Sequence, residues 1–334
     1  MKIYVAYTGG TIVMASSKGG YVPDAEFGDT IIGRLIAHQP EHEYQVQCYE
    51  NLKDSSNATP ADWQMIGNDI RSRWQEFDAF LILHGTDTMA YTSSALAFMF
   101  QNSRKPIVVT GSQIPLIKSR NDALTNVFGA VDALTQGPPG VFLYFGGLLL
   151  EGARARKINT NDLQAFQSPN HAPRGHLGVE WKWRKVPVAD APELIQIPVM
   201  ESGAVTLMML FPGVQVEHLQ GLLGPQVKGA VLLSYGTGNG PDQNQALLDH
   251  FKQATDRGIV IVNVSQCGAG AVNTQAYAAG SALVKAGLTS GIDMTFEAAF
   301  VKLHFLIGVG KTPEQIRQVF AEPLAFENQS LIAS

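Results

Sequence analysis

An apolar run, Leu81–Leu83, ends in His84-Gly85-Thr86-Asp87-Thr88, where an imidazole, two hydroxyls and a carboxylate crowd one turn. A second apolar run, Ile3–Tyr7, ends in Thr8-Gly9-Gly10-Thr11. Glycines let a backbone turn sharply and come close to a ligand. A threonine hydroxyl held there becomes a nucleophile once a neighbour takes its proton. Two strand ends decorated alike suggest one site assembled from both, with Thr11 as the candidate nucleophile. A plain tight turn, with the Thr11 hydroxyl bonded to backbone, is the competing reading.

Other residues could complete such a site. Ala15–Asp24 is small, polar and glycine-paired, which suits a flap, and Tyr21 matters if its phenol reaches Thr11. Asp87 could grip an ammonium group and Thr86 could position a water; equally, Asp87 or Thr88 could cap the helix that follows. His84 reads as a satisfied structural residue. Asp54, Ser55 and Ser56 offer compact polar groups for a carboxylate, or form an ordinary loop. Lys157 reads as solvated unless it is buried beside Asp87 as a proton relay. For a buried pair, removing either charge would cost roughly 3–5 kcal/mol.

These residues need a frame, and the pattern supplies one. Continuous apolar segments (KIYVAY, YQVQCY, AFLILH, PIVVTG, GVFLYF) read as strands, most of them buried on both faces. Helix signals lie between them. Thr59 and Pro60 open one helix, and TSSALAFMFQN and NDALTNVFGAVDAL carry helical spacing. Alternating β and α elements predict a doubly wound, mostly parallel sheet with its ligand beyond the carboxyl ends of the strands. Both threonine-rich turns lie there. VPVADAPELIQIPVM, with three prolines, reads as an extended connection. AVTLMML, GAVLLSYG and GIVIVNV then start a second alternating unit, closed by a helix over MTFEAAFVKLHFLIGVG and another with a Thr312/Gln315 capping box. The expected division is a catalytic α/β domain over 1–188, a linker over 189–204 and a smaller parallel-sheet α/β domain over 205–334.

Composition narrows the class. The chain has 334 residues, enough for two domains, of which 45% are hydrophobic and 16% charged. A net charge of -5 gives no reason to expect nucleic acid or an anionic membrane as a partner. VFLYFGGLLL is too short to span a bilayer, and the N-terminus reads as a first strand rather than a signal peptide. Two cysteines, Cys48 and Cys267, imply no disulfide framework and point to a reducing cytoplasm. No H-E-x-x-H, P-loop lysine or G-x-S-x-G motif occurs, so neither a metal nor another cofactor is expected.

Taken in order, YTGGTI, DSS, HGTDTMAYT, VVTGSQIP and ARARK resemble the bacterial-type L-asparaginases. DSS with TPADW, GSQIP, AFQSPN, SYGTGN, DRGIVIVN and SQC is similar to their cytoplasmic, type I branch, and the match spans nearly the whole chain. The resemblance implies an amidohydrolase acting on a linear side-chain amide, converting asparagine to aspartate and ammonia through a threonyl acyl-enzyme. It implies Thr11 as nucleophile, Tyr21 as the supporting flap tyrosine, and Thr86, Asp87 and Lys157 as a second triad. Asp87 would also hold the substrate amine and Ser55 its carboxylate, within the Asp54–Ser56 loop. Asn239 would come from a neighbouring subunit of a homodimer or homotetramer. Backbone N–H groups at the Thr86 turn would stabilise the oxyanion. Which group deprotonates Thr11, Tyr21 or Lys157, stays open. A glutaminase-asparaginase, one methylene different in substrate, is the near alternative, and a non-enzymatic amino-acid sensor the distant one.

Overall fold

A computed structural model describes residues 1–10, 12, 14–17, 20–23, 27–186, 191–273 and 278–329, with side chains outside that description at 14–17, 20–23, 27–29, 278 and 279. The contacts divide the chain into two compact units, Met1–Ile197 and Pro198–Ser334.

The first unit begins with β1 (Lys2–Gly9), a hairpin of β2 (Met14–Ser17) and β3 (Gly20–Pro23), α1 (Phe27–His38), β4 (Glu43–Lys53) and α2 (Pro60–Ser72). It continues with β5 (Ala79–Leu83), α3 (Met89–Met99), β6 (Phe100–Gln101), β7 (Pro106–Thr110), α4 (Ala123–Gln136) and β8 (Gly140–Phe145). Short strands follow: β9 (Leu148–Glu151), β10 (Arg156–Lys157), β11 (Phe166–Gln167), β12 (Gly175–Leu177), β13 (Trp181–Trp183) and β14 (Leu194–Ile195).

Among the described residues, the main sheet runs β13-β12-β9-β8-β7-β5-β1-β4. Pairing is parallel from β4 through β8 and antiparallel through β9, β12 and β13. Central strands are buried on both faces because helices cover both. Ile3, Val5 and Tyr7 join Leu81, Val108, Val127 and Val131 in one core cluster, while Tyr4 and Ala6 are equally buried on the opposite face. Their continuous apolar runs follow from this double burial. α3 is buried almost all round, which explains its weak amphipathicity. Part of the proline-rich connection is strapped to this unit: β14 pairs with β6, and the Trp74 indole donates to Glu193 at 3.3 Å.

The second unit contains β15 (Val205–Met209), α5 (Val216–Leu219), β16 (Gly229–Ser234), α6 (Gln245–Asp256) and β17 (Val260–Ser265). α7 (Ala278–Lys285), β18 (Thr289–Ser290), α8 (Phe296–Gly308) and α9 (Pro313–Val319) complete it. Its strands pair in parallel in the order β15-β16-β17-β18. Met208, Leu210, Leu232, Phe251 and Leu283 belong to its core. The fully buried Lys302 donates to the carbonyls of Phe320 and Glu322, at 2.7 and 2.6 Å, and to the Glu327 carboxylate, tying the C-terminal segment to α8. Among the described residues of the chain, no helix is long and apolar enough to cross a membrane.

Candidate active site

β1 and β5 are neighbours in parallel register, with Tyr7 opposite Leu83, so their carboxyl ends emerge side by side. The turns beyond them touch backbone to backbone. A Cβ on Gly10 would lie 2.3 Å from the Gly85 nitrogen, and Gly10 itself has φ +90°. Only glycine fits there. A Cβ on Gly85 would lie 2.4 Å from the Ser55 hydroxyl, so the loop after β4 closes on the same point. The two strand ends and the Asp54–Ser56 turn therefore form one cluster.

Three of the expected residues converge there. The Lys157 ammonium donates to Thr86 Oγ1 and to Asp87 Oδ1, each at 2.8 Å. Lys157 arrives on β10, which pairs with β11 through Lys157–Phe166. The Lys157 side chain is 18% exposed and that of Asp87 61%, so the pair is open on its carboxylate side. Lys157 is thus neither solvated nor half of a fully buried pair: its ammonium is mostly covered, while Asp87 stands at the mouth of the strand, where water and a ligand can reach it. Neither it nor Thr88 caps α3 through its side chain. Asp87 pairs with Lys157, and the Thr88 hydroxyl donates to Ser55 O at 2.8 Å.

Ser55 is buried, and its Oγ accepts from the Asp87 N–H at 3.2 Å. It thus links the Asp54–Ser56 turn to the Thr86–Asp87 turn. Asp54 is exposed, and its Oδ1 accepts from the Ser56 N–H at 3.0 Å, capping the short 3₁₀ turn Ser55–Asn57; Ser56 is exposed. Behind the turn, Asp62 accepts from Lys53 at 2.6 Å and from the Thr59 N–H and hydroxyl at 2.7 Å each. Burial alone would raise the Asp62 carboxyl, but these donors outweigh it and hold it below the usual range.

Thr11 lies outside the described residues. Tyr21 pairs with Ser16 in the β2–β3 hairpin, and its side chain lies outside the description too. Asn239 belongs to the second unit, in a tight turn where its N–H donates to Tyr235 O at 2.8 Å and its carbonyl accepts from the Tyr235 N–H at 2.9 Å. Among the described residues, its buried Oδ1 has no hydrogen-bond partner.

Sequence reading missed Gln113. The Thr86 hydroxyl donates to Gln113 Oε1 at 3.3 Å while accepting from Lys157. Buried Asp122 holds this glutamine in place by accepting from the Gln113 and Ile114 N–H groups, at 3.0 and 2.9 Å. Asn126 donates to Asp122 and to Gly111 O, each at 3.0 Å, and accepts from the Gly146 N–H at 3.1 Å. The available signal was position: GSQIP directly follows β7, at the same sheet edge as the two threonine turns. On the other side, the buried Ser93 and Ser94 hydroxyls of α3 donate to Gly152 O at 2.8 and 3.3 Å, anchoring the segment that leads to Lys157.

This arrangement offers a cation bridging a hydroxyl and an accessible carboxylate, beside a glycine turn that leads into Thr11. Two family models cover the chain: "Asparaginase, N-terminal" over residues 2–189 and "Glutaminase/Asparaginase C-terminal domain" over 204–320. L-asparaginase 1 of Escherichia coli K12 is 41% identical over 330 residues, covering 97% of each chain. The crystal structure of L-asparaginase I from Vibrio cholerae matches with a TM-score of 0.88 at 39% identity, over 98% of this chain and 99% of that one. The thermostable L-asparaginase of Thermococcus kodakarensis matches with a TM-score of 0.89 at 31% identity, with the same coverage. On its sequence, its two-unit α/β architecture and the site at its strand ends, this chain belongs to the asparaginase family of amidohydrolases.

Proposed function

We propose that the protein hydrolyses L-asparagine to L-aspartate and ammonia through an acyl-enzyme on Thr11. The observation that carries this reading is Lys157 bridging Thr86 and Asp87 at the end of β5, against the Gly10 turn that leads into Thr11. An amide resists neutral water, so hydrolysis by side chains alone needs a nucleophile, a proton path and oxyanion donors. Thr11 Oγ attacks the side-chain carbonyl carbon, its proton leaving through Tyr21 or Lys157. The C–N bond breaks, ammonia departs with a proton, and an aspartyl ester remains on Thr11. A water positioned by Thr86 then cleaves the ester, restoring the hydroxyl. Asp87 grips the substrate ammonium, and the Asp54–Ser56 turn receives its carboxylate through Ser55.

The enzyme works in the cytoplasm as a homodimer or homotetramer, with Asn239 of one subunit completing its neighbour's site, and the closed symmetry common among such assemblies supports this. A fully active monomer in light scattering at assay concentration would contradict the shared site. Thr11→Ala tests the chemistry. Turnover should vanish while the variant stays folded and still binds aspartate in calorimetry; retention of more than a few per cent of activity would place the nucleophile elsewhere.

A further inference from the structure

The His84 imidazole is buried, and both ring nitrogens are engaged. Nδ1 lies 2.7 Å from Gly85 O, and Nε2 lies 3.0 Å from the Thr92 hydroxyl of α3. A carbonyl oxygen only accepts, so Nδ1 carries a proton. Burial pushes the imidazole below its usual range, so it is neutral near pH 7 and Nε2 accepts from Thr92. His84 is also fixed from behind. Its own N–H donates to Thr110 O at 2.9 Å, and a Cβ on Gly111 would lie 2.1 Å from its carbonyl oxygen.

This ring acts on one particular peptide. Gly85 O belongs to the Gly85–Thr86 peptide, which is trans, as no cis bond is present among the described residues. In a planar trans peptide the N–H points opposite to the C=O. With Gly85 O held by the buried imidazole, the Thr86 N–H points away from the ring. Among the described residues, nothing accepts a hydrogen bond from it.

We propose that His84 is a positioning residue for hydrolysis: its Nδ1–H holds the Gly85 carbonyl, and so aims the Thr86 N–H at the oxyanion that forms when the substrate amide is attacked. This rests on the amidohydrolase reading above. The Gly85 carbonyl fixes the tautomer, Thr92 holds the ring from its other nitrogen, and the pull on Gly85 O polarises the same amide, strengthening its N–H as a donor. Preorganised donors act on charge that develops in the transition state, so a loss here appears in kcat rather than in substrate binding.

Two substitutions separate positioning from packing. The amide nitrogen of Asn lies as many bonds from the backbone as Nδ1, whereas Gln carries its polar end to the place of Nε2. His84→Asn should keep kcat within about threefold, whereas His84→Gln should lower it about tenfold to a hundredfold, with KM and aspartate affinity unchanged. Equal losses in both variants, with raised KM and lowered melting temperature, would overturn the proposal in favour of packing alone. If His84→Gln fails to fold, neutron diffraction from the perdeuterated wild-type protein decides. A deuteron on Nδ1 and none on Nε2 is expected; a deuteron on Nε2 overturns the assignment. Absence of ammonia release by the wild-type protein would sink the amidohydrolase reading instead, and the neutron map would still report the tautomer.

Discussion

Lys157 makes two bonds of equal length, and the exposure of its partners decides what each is worth. Asp87 is 61% exposed, so their ion pair is well screened and contributes on the order of 0–1 kcal/mol to stability. Its use is geometric: it keeps the ammonium against the Thr86 hydroxyl. Lys157→Met should therefore lower kcat by about a hundredfold or more while moving the melting temperature by only a few degrees. A large drop in melting temperature would show that the pair carries the fold. At this scale Thr86 and Asp87 were legible as a strand-end cluster from residue type and position, whereas Lys157 read as solvated from its own stretch and was brought to them by the resemblance alone. Gln113 was not, because its role depends on Asp122 gripping the Gln113 and Ile114 N–H groups from nine and eight residues away. His84 was legible as a satisfied structural residue, but the Gly85 carbonyl that sets its tautomer and the Thr92 hydroxyl at its other nitrogen were not.

Among the elements, parallel strands place their carboxyl ends together, and glycines decide how closely the following turns can approach. Gly10 combines a positive φ with backbone contact to Gly85, so Gly10→Ala should cost roughly 2–4 kcal/mol and most of the activity. Gly33, inside α1, is the contrast: a Cβ there would meet nothing within 4 Å. Gly33→Ala should stabilise by about 0.5–1 kcal/mol and leave activity intact. Thermal melts of both variants beside ammonia release check this, and a neutral Gly10→Ala would mean that the turns can separate. Alternating β and α signals made the parallel core readable. The antiparallel extension was not. VFLYFGGLLL reads as one apolar run, yet Gly146 and Gly147, at φ +56° and +85°, fold it into the hairpin of β8 and β9. Two glycines between apolar runs are a hairpin signal in their own right. β12 and β13 are three residues each, too short for a period-2 pattern to stand out.

Over the whole molecule, buried groups set how stability responds to pH. His304 on α8 is almost wholly buried, and that burial pushes its imidazole down from 6.5 to about 4. Burial lowers His84 as well. The unfolded chain binds these protons near pH 6.5 and the folded chain only at lower pH, so stability is full above pH 6.5 and declines as pH falls toward 4. His304 accounts for roughly 3 kcal/mol of that decline. His304→Gln should flatten the loss of melting temperature between pH 7 and pH 4; an unchanged slope would remove His304 from the explanation. The site and the fold meet in a single functional claim, that this protein breaks the side-chain amide of asparagine. Ammonia release by the purified wild-type protein, with asparagine, with glutamine and with neither, tests it most directly. Ammonia matched mole for mole by aspartate, from asparagine and absent from the blank, is the result expected. Tight binding of asparagine without ammonia would contradict the claim and leave an amino-acid sensor in its place.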